Sequence, residues 1–168
     1  MNDSFILRDR IWREQNERVT LSSNATFASK SLGRYLDEEP DAFRTCFERD
    51  RDRIIHSKTF RRLKHKTQVF INPDGDHFIT RMTHTLNVTQ IGRSIAKTLG
   101  LNPDLTEAIC LGHDVGHSPF GHTGEDVLNE MLDGGWSHSE NSVRMLSVIE
   151  PLNLTKETIN AVSYTHLR

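Results

Sequence analysis

Apolar positions recur at helical intervals through most of this chain. Between Asp41 and about Leu63, behind Pro40, the residues Phe43, Phe47, Ile54 and Phe60 return at roughly helical spacing and predict a helix. From Thr83 to Leu99 the pattern is clearer. His84, Val88, Ile91 and Ile95 share one face, and Gly100 supplies a stop. That spacing turns His84 toward the interior with the apolar stripe. Asn102-Pro103-Asp104 opens the next helix, which carries Leu105, Ile109 and Gly112 and delivers His113 and Asp114 near its buried face at the C-terminal end. Residues 116–121 interrupt the periodicity. Thr123 with Asp126 then reads as a capping pair for a helix through Leu132. A loop containing Gly134-Gly135-Trp136 precedes a helix from about His138 to Val148, and Thr155 to Val162 begins a last one.

Two segments depart from this pattern. Residues 1–40 are polar and weakly periodic, with Ser22-Ser23-Asn24 and Ser29-Lys30-Ser31 reading as loop, and are expected to form an extended N-terminal arm. Thr67 to Ile71 and His77 to Thr80 flank a Pro73-Asp74-Gly75 turn and predict a short β-hairpin near 67–80. The expected class is all-α with that one hairpin.

Composition narrows the setting. The 168 residues suit one ordinary domain or part of a larger one. A net charge of -2 gives no global pull toward nucleic acid or an anionic membrane. Arg44 to Lys66 is the local exception: nine Lys/Arg against Glu48, Asp50 and Asp52. This stretch is a candidate nucleic-acid or polyphosphate surface, and equally a solvated helix face laced with its own ion pairs. It lacks the interleaved aromatics of a single-strand binding strip. Cys46 and Cys110 form no disulfide framework, the first ten residues contain no secretory apolar core, and no apolar run is long enough to span a membrane. A cytoplasmic setting with no membrane partner is expected.

The chemistry concentrates in one segment, Leu-Gly-His-Asp-Val-Gly-His-Ser-Pro-Phe-Gly-His-Thr-Gly-Glu, ending at Glu125. His113 and Asp114, with His84 from the preceding helix, offer imidazole nitrogens and a carboxylate suited to Mn, Fe, Co, Ni, Zn or Mg. His117, His122 and Glu125 are acid/base candidates, because a carboxylate three residues from a histidine can orient it and raise its basicity. Arg81 lies three residues before His84, where a guanidinium could meet phosphate oxygens. Each has a plain alternative: a core histidine bonded to a carbonyl for His84, a surface pair for His122 and Glu125, a surface arginine for Arg81, and an exposed histidine for His138.

Several linked segments resemble a known family. Arg51-Asp52-Arg53-Ile54-Ile55-His56-Ser57, Phe60-Arg61-Arg62-Leu63, Lys66-Thr67-Gln68-Val69-Phe70, Arg81-Met82-Thr83-His84-Thr85-Leu86 and the stretch from Gly112 to Glu125 are similar to the bacterial dGTPase-like deoxynucleoside triphosphate triphosphohydrolases of the HD-domain superfamily. The similarity runs from about Phe43 to about Leu154. It implies an HD-domain helical bundle over 41–162 and hydrolysis of a dNTP to deoxynucleoside and inorganic triphosphate. It implies His84, His113 and Asp114 as metal ligands, His122 and Glu125 as the catalytic pair, and His117 near the phosphates. It further implies Arg81 on the phosphate chain, Gln68 on the deoxyribose and His138 as another active-site histidine. Family members commonly assemble as homo-oligomers.

The family's fourth metal ligand, an aspartate on a later helix, has no counterpart here, and neither do its later tyrosine and lysine. The chain is therefore expected to be C-terminally truncated, with 163–168 as a non-native tail, little activity of its own, and the face carrying Ile91 and Ile95 partly uncovered. Two rival functions are an HD phosphodiesterase or phosphatase acting on another nucleotide, and a catalytically silent module that binds nucleotide or nucleic acid.

Overall fold

The computed structural model describes residues 8–66 and 80–164, and these are almost wholly helical. Eight α-helices are present among them: α1 (Arg10–Thr20), α2 (Cys46–His56), α3 (Lys58–Arg61), α4 (Arg81–Thr98), α5 (Pro103–Gly112), α6 (Gly121–Met131), α7 (His138–Arg144) and α8 (Lys156–Tyr164). A 3-10 turn, Arg62–His65, follows α3, and a π-helical turn, Met145–Ile149, extends α7. The all-α expectation holds. The hairpin expected near 67–80 lies outside the described residues except for Thr80, whose hydroxyl caps α4 by accepting from the Thr83 N–H at 3.3 Å.

The most apolar helix organises the rest. α5 packs against α2, α4 and α8. Its Ala108 and Leu111 join Ile54, Phe60, Leu63, Val115, Leu146, Leu154, Ile159 and Val162 in one buried core. Asn102 caps α5 by accepting from the N–H groups of Asp104 and Leu105, each at 3.1 Å, and Pro103 occupies the first turn, where its missing N–H does no harm.

Three expectations need correction. The helix expected from Asp41 starts at Cys46, where Thr45 and Glu48 form a capping box; Ser57 then caps α3 and divides the run in two. Residues 10–20, expected to belong to an extended arm, form α1. Asp9 caps it, and Glu17 anchors it by accepting from the Ala28 N–H at 2.7 Å and from Asn102 Nδ2 at 3.0 Å. No residue of α1 is buried: its apolar residues are Ile11, Trp12 and Val19, and all three are exposed.

The third correction concerns the inward face of α4. That face carries Arg81, Thr85, Thr89 and Ala96, while Ile91 and Ile95 are 60% and 53% exposed. Small side chains are required there because α5 comes close. A Cβ on Gly92 would lie 2.9 Å from Cys110 Sγ. The large apolar residues mark a face that nothing in the described structure covers, in line with the expectation that the face carrying Ile91 and Ile95 is partly uncovered.

Candidate metal and acid/base centre

The end of α5 and the loop after it form the floor of the site. His113 caps α5, and its Nδ1 donates to the Cys110 carbonyl at 2.7 Å. A carbonyl can only accept, so Nδ1 carries a proton, and in the neutral ring the lone pair is on Nε2; this is how a metal-binding imidazole is usually oriented. Asp114 is buried, and its Oδ1 lies 3.6 Å from His113 Nε2. His84 comes from α4, with its ring centroid 6.0 Å from that of His113. One donor atom from each of His84, His113 and Asp114 lies within 4.8 Å of the others. Two imidazoles and a carboxylate so placed fit a divalent cation. Burial pushes the His84 pKa below the ordinary histidine value, against the pull of the Asp114 charge.

Arg81 closes one side of this group. Its Nη1 donates to Asp114 Oδ2 at 2.9 Å, and both side chains are about 4% exposed. Burial alone would raise the Asp114 pKa; the positive field of His113 and Arg81 overrides it and holds the carboxyl low. Arg81 Nε is buried with no hydrogen-bond partner among the described residues, so the guanidinium keeps a donor in reserve.

The loop that carries the chemistry is gripped from both sides. Asn141 Nδ2 donates to the Gly116 carbonyl at 2.6 Å. Ser142 Oγ accepts from the Gly116 N–H and donates to the His113 carbonyl, both at 2.9 Å. Lys66 Nζ donates to the carbonyls of Val115 and His117 at 3.1 and 2.8 Å. Burial, with help from the Arg81 charge, brings the Lys66 pKa down to about 8. Ser142 stands in no motif, and Lys66 opens one of the family-like segments without a role assigned to it, because each acts on backbone carbonyls and amides that sequence does not display.

A second group lies just beyond. α6 begins at Gly121, not at the Thr123–Asp126 pair expected to cap it; the residue before it, Phe120, has φ +66°. This entry places His122 and Glu125 one turn apart, with His122 Nδ1 donating to Glu125 Oε2 at 3.1 Å. The same carboxylate receives His138 from the start of α7: the backbone N–H at 3.0 Å, and ring Nδ1 at 2.9 and 2.8 Å from the two oxygens. Burial would raise the Glu125 pKa, but these bonds prevail and bring it to about 2.

His138 is buried, not the exposed histidine of the plain alternative, and stacks on His117 at a centroid distance of 4.6 Å. His117 is also buried, with Nδ1 facing the Ser118 carbonyl at 3.3 Å. Burial first, and then the Arg81 charge, press its pKa down to about 4. Donor atoms of His117, His122, Glu125 and His138 all lie within 4.8 Å of one another. Of the sequence-derived candidates, only Gln68 lies outside the described residues.

The basic stretch divides. Arg44, Arg49, Arg51 and Arg53 are paired with Asp41, Glu38, Asp52 and Glu38 respectively, among other carboxylates, whereas Arg61, Arg62 and Lys64 are exposed. No described helix is long and apolar enough to cross a membrane.

A helical scaffold that sets a His-Asp pair at a helix end beside a histidine from the neighbouring helix is the arrangement of an HD domain. The HD domain model matches residues 81–168, and the chain belongs to the HD domain family. It is 58% identical over 153 residues to a deoxyguanosinetriphosphate triphosphohydrolase-like protein of Caldanaerobacter subterraneus, covering 89% of this chain and 45% of the relative. A protein of the same name from Clostridium tetani is 53% identical over 164 residues, covering 95% and 46%. The chain thus spans less than half the length of the curated relatives it matches.

Proposed function

We propose that this site hydrolyses a deoxynucleoside triphosphate, of the dGTP kind, to deoxynucleoside and inorganic triphosphate. The observation that carries the reading is the gathering, around the gripped loop between α5 and α6, of the His84, His113 and Asp114 donors and the His122–Glu125 pair, with Arg81 buried against Asp114. The names of the relatives support the choice of substrate.

The roles follow from the chemistry. Water adds to the α-phosphorus, the bond to the 5′-oxygen breaks, and that oxygen leaves with a proton. His84, His113 and Asp114 would hold a divalent cation such as Mn or Mg, which supplies charge neutralisation on the phosphates. Arg81 adds a second positive group and has an unused N–H to offer them. His122 is two-thirds exposed, and its Nδ1–H is directed to Glu125. This leaves Nε2 to exchange a proton with the attacking water or the leaving oxygen, and Glu125 stabilises the imidazolium. His117 and His138 line the phosphate end, and Gln68 is assigned the deoxyribose by family resemblance.

Product analysis tests this. The chain, and a version extended to the length of its relatives, are incubated with each dNTP and Mn²⁺ or Mg²⁺. Deoxynucleoside plus triphosphate from either form is the expected outcome. Monophosphate or orthophosphate would instead indicate the other nucleotide phosphohydrolase chemistry, and no product from either form would remove the hydrolase reading.

A further inference from the structure

We propose that Lys66 is a positioning residue for the hydrolysis put forward above: it touches no reacting atom, and its charged ammonium clamps the turn that joins Asp114 to His122. The kinetic part of this inference rests on that reaction; the clamp itself does not.

Geometry is the first support, because Lys66 meets the site at two points. Its Nζ donates to the Val115 carbonyl at 3.1 Å and to the His117 carbonyl at 2.8 Å. Its own carbonyl accepts from the Arg81 N–H at 3.1 Å, a first-turn amide of α4 that has no acceptor inside the helix. One residue thus ties the arginine that opens α4 to the turn that follows Asp114. Val115 and His117 are both buried, so water is a poor replacement for the donor their carbonyls receive.

The two sides of the turn are held by different chemistry. On the α7 side the donors are neutral, the Asn141 amide and the Ser142 hydroxyl. On the opposite side the donor is a cation. A hydrogen bond from an ionised donor is roughly twice as strong as a neutral one, so Lys66 is the stiffer hold.

The charge is also kept at a cost. Burial first, and then the Arg81 and Arg62 charges, lower the Lys66 pKa from 10.5 to about 8, with Asp114 pulling the other way. Between those two values the unfolded chain holds the proton and the folded chain does not. Stability therefore rises with pH across that window, and protonated Lys66 costs stability below it. A side chain kept only to fill space would avoid this cost as a methionine. Lys66 and Arg81 moreover share one carboxylate, Asp114, which leaves surplus positive charge where an anionic phosphate chain would lie.

Hydrogen exchange and kinetics test the two parts separately, both on the chain extended to its relatives' length. In Lys66→Met, the amides of residues 115–118 should exchange about tenfold faster or more, while those of α2 and α8 exchange as in the parent. Triphosphate release should lose about 10- to 100-fold in kcat with KM within about threefold, because Lys66 holds backbone and not substrate. Lys66→Arg keeps the charge and offers two N–H groups to the two carbonyls, and should restore kcat to within about fivefold of the parent. Unchanged exchange at 115–118 in Lys66→Met, or faster exchange spread equally through α2 and α8, would overturn the clamp. A loss carried wholly by KM would make Lys66 a substrate-binding residue and overturn the positioning role, and equal losses in the two variants would overturn the use of its charge. Locally faster exchange in a protein that releases no triphosphate would keep the clamp and refute the reaction. Triphosphate release from Lys66→Met at the parent's rate would do the reverse.

Discussion

Glu125 holds His138 more closely than it holds His122: the buried ring lies 2.8 Å from Oε2 and the exposed one 3.1 Å from the same atom. The carboxylate is therefore anchored from below and presents its histidine from above. Glu125→Gln replaces one acceptor oxygen with a donor, so the two rings and the His138 amide can no longer all be satisfied. Turnover in the chain extended to its relatives' length should fall by about 10²- to 10⁴-fold, the usual worth of a positioned acid/base group. Cation binding at His84, His113 and Asp114 should persist. Parallel assays of triphosphate release and bound Mn²⁺ check the split.

Acid should weaken the fold in two stages. His117 titrates near 4 when folded and near 6.5 when unfolded. The unfolded chain takes up this proton first, so stability is full above about pH 6.5 and declines toward 4. Glu125 is depressed from 4.5 to about 2, so its contribution is present above about 4.5 and is lost as pH falls toward 2. Urea midpoints measured from pH 7.5 to 3 should drop across both windows. His117→Gln should flatten the upper one, and an unchanged slope there would show that His117 is not the group responsible.

Much of this was legible in the sequence, for reasons specific to particular residues. Asn102-Pro103 announced α5 because a cap and a proline act locally, and His113 and Asp114 fell at its end as their spacing required. The inward face of α4 does not follow its apolar stripe, because close packing on α5 selects Thr85, Thr89 and Gly92, while the large residues Ile91 and Ile95 point outward. α1 was invisible because Glu17 and Arg10 tie it down through hydrogen bonds to residues distant in sequence, not through a buried stripe. His138 was placed in the site by resemblance alone. Its 13-residue separation from Glu125 carries no periodic signal.

Gly116 should tolerate no side chain. A Cβ there would fall 2.1 Å from the Ser142 backbone nitrogen and 2.4 Å from the Asn141 carbonyl carbon, both fixed parts of α7. Gly116→Ala must push α7 away from the loop and break the bonds from Ser142 and Asn141 that hold it. A loss of ~1–3 kcal/mol is expected from overpacking, with weaker cation binding because His113 loses its Ser142 support. Denaturation and metal titration of the variant test both effects, and a stable variant with unchanged affinity would mean that α7 is free to shift.

Asp50 should matter more to stability than any residue of the site. It is fully buried; one carboxylate oxygen meets Arg34, and the other accepts from the Thr155 N–H at 2.9 Å, Thr155 Oγ1 at 2.6 Å and Thr158 Oγ1 at 2.8 Å. Through these bonds one side chain of α2 holds the start of α8 and the segment that follows α1. The Arg34 side chain is only 7% exposed, so Asp50→Ala leaves this buried guanidinium with Glu38 as its one remaining carboxylate and also empties three donors. Breaking one partner of such a pair costs ~3–5 kcal/mol. That is a large share of the ~5–15 kcal/mol available to a typical domain, so the variant should unfold at much lower urea or fail to accumulate. Asp50→Asn keeps the volume and one acceptor oxygen but not the charge, and should fall between the two. If Asp50→Ala unfolded at the parent's urea midpoint, Arg34 and α8 would have to be held by something other than this carboxylate.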